Sequence, residues 1–327
     1  MKPQRNNRCR PDEGNSLSHS TKKRLSGARA AGLRVRPSQP VLDWHAMRCL
    51  KSGTAGLLLS LLVAAGHAQA QKPVQGYLDP GAAREFLTVV PPPPHAGDVR
   101  DASDHAIFGA TRPLEGGPRW TMAQQDNTYS TSGVLQDFSC AAGVELTSQD
   151  APHVAVLLSR LAADSNAIVG PLKGQFKRSR PFLSQPGNIC VSRSTDLVKS
   201  YDYPSGHATM GWLSGLVLAE MAPDRTGPIL TRARAYGESR VVCGVHTASA
   251  VEAGRTLASA ILVALQGSTA YRDDFAAARS ELQALKKSKQ YEPAACATER
   301  SLTAEGPYGS LPAAAPAAGS VKSGKPQ

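Results

Sequence analysis

The chain has 327 residues, enough for one large domain or two modest ones, and 41% hydrophobic with 19% charged content excludes wholesale disorder. A formal charge of +11 would suggest a nucleic-acid or acidic partner, but the charge is not evenly spread. Residues 1–70 hold 12 Lys/Arg against 3 Asp/Glu and residues 71–327 hold 25 against 23, so the body is nearly neutral and no nucleic-acid partner is expected.

Residues 1–46 are rich in Arg and Ser and lack apolar periodicity, which predicts a disordered or untranslated leader ahead of Met47. Residues 47–70 then read MRCLKSGTAGLLLSLLVAAGHAQA. Arg48 and Lys51 precede an apolar stretch from Ala55 to Ala65, and Ala68-Gln69-Ala70 closes it. That order is a secretory signal peptide cleaved after Ala70. The apolar stretch is too short for a bilayer span, which takes about 20 residues. The expectation is a periplasmic protein beginning at Gln71. Cys140, Cys190, Cys243 and Cys296 then remain, an even number that suits two disulfides in an oxidising compartment, with three pairings open. Cys-x-x-Cys does not occur, which argues against a zinc ribbon or a thioredoxin-type site.

Residues 71–100 read as a Pro-rich strap, in which Pro91 to Pro94 favour polyproline II at the surface. Residues 101–298 carry helical patterns. A broad apolar face runs through 154–162. The stretch 205–221 opens on Ser205 as N-cap and stops before Pro223. Residues 227–243 have Pro228 early and Gly244 just past the end. Residues 246–265 are Ala-rich, and 272–288 are amphipathic and charged. Alternating runs and hairpin dipeptides are scarce, so the reading is a single all-α helical domain. No segment after residue 70 is expected to cross a membrane. Residues 299–327 are expected to be a disordered tail, turning to Gly, Pro, Ala and Ser beyond Thr303.

Three clusters in the helical region suit a phosphate ester. Lys173 and Arg180 are seven apart, two helical turns, so both are expected to project from one helix face towards one anion before Pro181 ends the helix. Pro204-Ser205-Gly206-His207 starts a helix whose first amides point outward, with a hydroxyl at Ser205 and a proton donor at His207. Ser239-Arg240 is followed after five residues by His246; Arg240 offers a planar fork for phosphate oxygens, and His246 is a candidate nucleophile.

In order and spacing these clusters resemble the signature of the class A bacterial non-specific acid phosphatases. Those belong to the type 2 phosphatidic-acid phosphatase superfamily, together with the vanadium haloperoxidases. The pattern is Lys-x6-Arg-Pro, then Pro-Ser-Gly-His, then Ser-Arg-x5-His-x3-Asp. The flanking YPSGHATMGWLSGLVLAEMAP and ESRVVCGVH, and the polyproline strap followed by Asp104, are similar too. The resemblance implies the all-α fold of that family and a metal-independent, cofactor-free acid phosphatase. In it Lys173, Arg180 and Arg240 clamp phosphate oxygens, with Ser205 and the Gly206 amide completing the cradle. His246 attacks phosphorus to give a phosphohistidine, and His207 protonates the leaving alcohol. The implied substrates are small phosphomonoesters: nucleotides, sugar phosphates, aryl phosphates. A homo-oligomer is compatible with the sequence.

One residue departs from the pattern. The Asp that should lie four residues after His246, holding its far ring nitrogen, is Ala250. Glu252 falls about 240° round a helix, on the wrong side. The orienting group must come from elsewhere, or turnover is weakened. Two alternatives follow: a silent phosphate- or phosphoester-binding protein, supported by Ala250, and a vanadium-dependent haloperoxidase using the same cradle. Because Cys190 and Cys243 each lie near a motif that must converge, they are expected to pair, leaving Cys140 with Cys296.

Overall fold

A computed structural model describes residues 73–308; the expected leader and signal peptide lie outside that range, as does the chain beyond 308. No strand occurs among the described residues. The elements run α1 (Val99–Thr111), α2 (Pro118–Gln125), α3 (Thr131–Ala142), α4 (Pro152–Phe176), α5 (Thr195–Lys199), α6 (Gly206–Met221), α7 (Thr226–Val242), α8 (Ala248–Leu265), α9 (Thr269–Ser288) and α10 (Ala294–Ala304).

Helix α6 is the centre. It buries residues on every side, from Ala208 to Met221, as an all-round apolar helix must. It packs on α7 and α8, and against α4 and α9 behind them. The α6–α7 approach depends on two glycines. A Cβ on Gly211 would sit 2.2 Å from the Tyr236 ring, and one on Gly215 would sit 2.4 Å from the Ala233 Cβ. The expected helices at 205–221, 227–243, 246–265 and 272–288 are all present, within a few residues at each end. Their caps account for this: Ser205, Thr247 and Ser268 each accept an amide of the first turn.

Four features differ from expectation. The strap is partly core: Asp79 caps a 3-10 helix over Pro80–Leu87, and Ala83, Phe86 and Val90 are buried. Helix α4 runs on to Phe176, well beyond the apolar 154–162. The ordered chain continues past 298 through α10, whose Cys296 and Thr303 are buried because they pack on α3 and α7. Finally, α8 is long and apolar enough by length and composition to cross a membrane; here its Val251, Leu257, Ile261 and Leu265 are buried in the protein. The disulfides are Cys190–Cys243 and Cys140–Cys296, the pairing expected from converging motifs.

Candidate active site

At the N-terminus of α6 a cleft of about 270 Å³ opens. Lys173, Arg180, Gly206, His207 and His246 line it, beside Tyr129 and the α4 residues Asn166, Val169 and Gly170. Ser205 and Arg240, also expected at the site, are not on this lining. Ser205 is wholly buried and its Oγ accepts the Ala208 amide at 3.4 Å, so that oxygen serves the helix cap.

Lys173 and Arg180 do not share a helical face. Helix α4 ends at Phe176, where Lys177 takes a left-handed conformation (φ 50°), and Arg180 is extended ahead of Pro181. The two meet through tertiary structure instead. Lys173 Nζ donates to the carbonyls of Tyr201 and Asp202, and the Asp202 amide donates to the Arg178 carbonyl at 2.8 Å. Arg180 donates to Ser200 Oγ (2.9 Å) and to the Val245 carbonyl (2.6 Å).

Arg240 is 3% exposed at the end of α7. Its Nη2 donates to Asn127 Oδ1 at 2.9 Å, while Nε and Nη1 have no partner among the described residues. Leaving such donors unmet costs about 1–3 kcal/mol each, so an anion is the natural complement. Asn127 also receives His207: the ring Nε2 lies 3.1 Å from its carbonyl. A carbonyl only accepts, so Nε2 carries the proton and Nδ1 is left to exchange one with a ligand. Asn127 is held by its neighbour. Asp126 pairs with buried Arg232 (2.5 Å) and accepts the Ser239 hydroxyl, to which Arg119 donates at 2.8 Å. Ser239 of the third motif is therefore an anchor for this loop.

His246 sits in the turn between α7 and α8, 3% exposed. Its Nε2 is 3.1 Å from Arg180 Nη1 and its Nδ1 is 2.9 Å from Asp202 Oδ1. Asp202 also accepts the Thr247 amide (3.1 Å) and hydroxyl (2.7 Å). Behind it, Arg178 donates to Thr247 and Ser249 hydroxyls at 3.0 and 2.6 Å and pairs with Asp104 at 2.9 Å. Neither Asp202, Asn127 nor Arg178 was expected at the site. Arg178 lies inside the first motif and Asp202 two residues before the second, so proximity was their only signal; Asn127 had none.

The charges crowd one another. Burial, then Arg240, holds His207 well below the ordinary imidazole value. Burial, then Arg180, Lys173 and Arg240, does the same to His246. Burial, with Arg180 adding to it, lowers Lys173 to about 7, and burial lowers Arg240 to about 10. Burial pushes Asp202 up, opposed by Thr247 and Arg178. A bound anion would oppose the cation–cation part of every lowering. Among the described residues no group of three His, Cys, Asp or Glu side chains is placed to hold a metal.

The PAP2 superfamily pattern matches residues 153–273. The chain is 37% identical over 240 residues to an acid phosphatase of Zymomonas mobilis, covering 72% of this chain and 89% of that one. It is 34% identical over 218 residues to a non-specific acid phosphatase of Providencia stuartii, covering 66% and 88%. A non-specific acid phosphatase of Salmonella typhimurium is 30% identical over 211 residues, covering 64% and 84%.

Proposed function

Because this chain belongs to the non-specific acid phosphatases of the PAP2 superfamily, we propose that it hydrolyses small phosphomonoesters through a phosphohistidine on His246. The substrates of this reading are nucleotides, sugar phosphates and aryl phosphates, outside the cytoplasm. The signal-like residues 47–70 and the two disulfides support export to the periplasm.

One observation carries the reading. His246 Nε2 stands on the cleft wall beside a guanidinium, which can only donate, so that nitrogen presents a lone pair. The lone pair attacks phosphorus while the ester P–O bond breaks, and protonated His207 gives its proton to the leaving alkoxide. Water then attacks phosphorus, passing its proton to His207, as the phosphorus–nitrogen bond breaks and returns the electron pair to His246 Nε2, and inorganic phosphate departs. Lys173, Arg180 and Arg240 meet the charge spread over the equatorial oxygens, which is most of what a loose phosphoryl transfer needs. The Gly206 amide at the start of α6 adds a donor, and Ser205 keeps a hydroxyl proton for the same anion.

The test is p-nitrophenyl phosphate turnover by the chain from residue 71, with EDTA present, followed by acid-labile phosphoenzyme trapping. Metal-free activity that His246→Ala abolishes, with label on His246, is the expected result. Activity that survives His246→Ala would overturn the mechanism. The silent-binder reading rested on Ala250; the carboxylate of Asp202 at His246 Nδ1 weighs against it.

A further inference from the structure

We propose that Asp202 is the positioning carboxylate of His246, so that the function carried in the family pattern four residues after the histidine comes here from the loop before Pro204-Ser205-Gly206-His207. The inference rests on His246 as the nucleophile.

Arg180 Nη1 faces His246 Nε2 at 3.1 Å and has no lone pair, so Nε2 is unprotonated and Nδ1 holds the ring hydrogen. That hydrogen meets Asp202 Oδ1 at 2.9 Å. As Nε2 bonds to phosphorus the ring gains positive charge, and the carboxylate stabilises it without taking the proton; when the phosphorus–nitrogen bond breaks, that charge is withdrawn again. A neutral hydroxyl in the same place could not do this.

The carboxylate is held as such a group must be. It is 0% exposed. Oδ1 takes His246 Nδ1–H and the Thr247 amide, and Oδ2 takes the Thr247 hydroxyl with Arg178 Nη1 3.7 Å away. Arg178 is itself locked by Asp101 and Asp104 of α1, so three elements fix one carboxylate. Position 250, meanwhile, has another use: the Ala250 side chain joins the apolar core. Asp202 and Thr247 together do by tertiary contact what a single helical turn would do by spacing.

The experiment uses the chain from residue 71. In the wild type, nitrogen-15 histidine NMR should find His246 in the Nδ1-protonated tautomer, with its Nδ1–H shifted downfield; an Nε2-protonated ring would overturn the proposal. Asp202→Asn should keep inorganic phosphate binding within about threefold while lowering kcat by about a hundredfold or more, and slow phosphoenzyme formation equally. If Asp202→Asn folds, binds phosphate and turns over within threefold of wild type while His246→Ala is inert, the positioning role fails and the nucleophile stands. If His246→Ala remains active, both fail. Should Asp202→Asn not fold, the wild-type tautomer still decides.

Discussion

The backbone amide of Ser205 donates to the carbonyl of Ala250 at 2.9 Å, fastening the start of α6 to the first turn of α8. The bond explains why position 250 can lose an acidic side chain and keep its place in the architecture. Its carbonyl secures the loop, and its side chain packs into the apolar core.

Ala250→Asp is therefore expected to harm rather than restore. A carboxylate there would be buried against apolar neighbours, at a cost of about 1–3 kcal/mol. The melting temperature should fall and kcat should not rise. A thermal melt beside a p-nitrophenyl phosphate assay checks both; a clear gain in kcat would restore the reading in which Ala250 cripples the enzyme.

On the proposed mechanism the pH profile follows from His207. Burial and Arg240 lower its free-enzyme pKa, so the protonated, proton-donating form is present below that value and lost as pH rises through it. kcat/KM should decline already on the acid side of the ordinary imidazole value of about 6.5. In the complex the substrate phosphate opposes Arg240's repulsion and raises His207, so kcat should persist to higher pH than kcat/KM. His246, also lowered, stays neutral well into acid. Stopped assays from about pH 4 to about pH 8 give both profiles, and a kcat/KM that climbs above neutrality contradicts the assignment.

Lys173 titrates at about 7. Below that it is charged and, on the proposed function, meets the phosphate; above it, the free protein must take up a proton to bind with the same charge. Competitive inhibition by inorganic phosphate should weaken as pH rises through 7, with proton uptake in calorimetry run in two buffers. Lys173→Met should flatten that dependence and weaken phosphate binding by about tenfold or more, as expected of one lost charge-assisted contact worth about 1.5–3 kcal/mol.

Cys190–Cys243 closes a loop across 53 residues. Chain-entropy reasoning gives it about 4 kcal/mol of stabilisation. Replacing both cysteines by serine should lower the guanidinium midpoint by a corresponding amount. Because the bridge holds the 181–200 segment beside the turn that carries His246, kcat should also drop, while the Cys140–Cys296 pair removed alone should affect stability with less effect on turnover. Chemical denaturation and steady-state kinetics on the two pairs separate these effects.

Much of the site was legible in the sequence. Ser205, Thr247 and Ser268 announce the helices that follow them, and the spacing of the motifs marks the cleft. Lys173 and Arg180 both reach the cleft, but not by the helical spacing read from the sequence: the helix stops at a left-handed lysine, where no glycine signals the end. Asp202 was illegible for a different reason. It lies 44 residues from His246 between two tyrosines, and only the folded chain brings them together. Asn127 is similar: it gives His207 a backbone carbonyl that any residue possesses, and its side-chain contact with Arg240 is made across 113 residues of sequence. The tail was misplaced because Gly and Pro begin only at 306, while the ATERSLTA segment before them is good helix sequence closed by a disulfide.

The close α6–α7 seam has a consequence for how such a protein can change. His207 rides on α6 and Arg240 on α7, and the distance between the helices is set by the missing side chains of Gly211 and Gly215. The residues proposed as proton donor and as one arm of the anion clamp thus sit on a helix seam that tolerates no enlargement. The stretch of the cleft lining from Asn166 to Gly170 on α4 carries none of the groups proposed to react. A new preference for one leaving alcohol over another would accumulate there, at positions ahead of Lys173 on the same helix that can vary without displacing its ammonium.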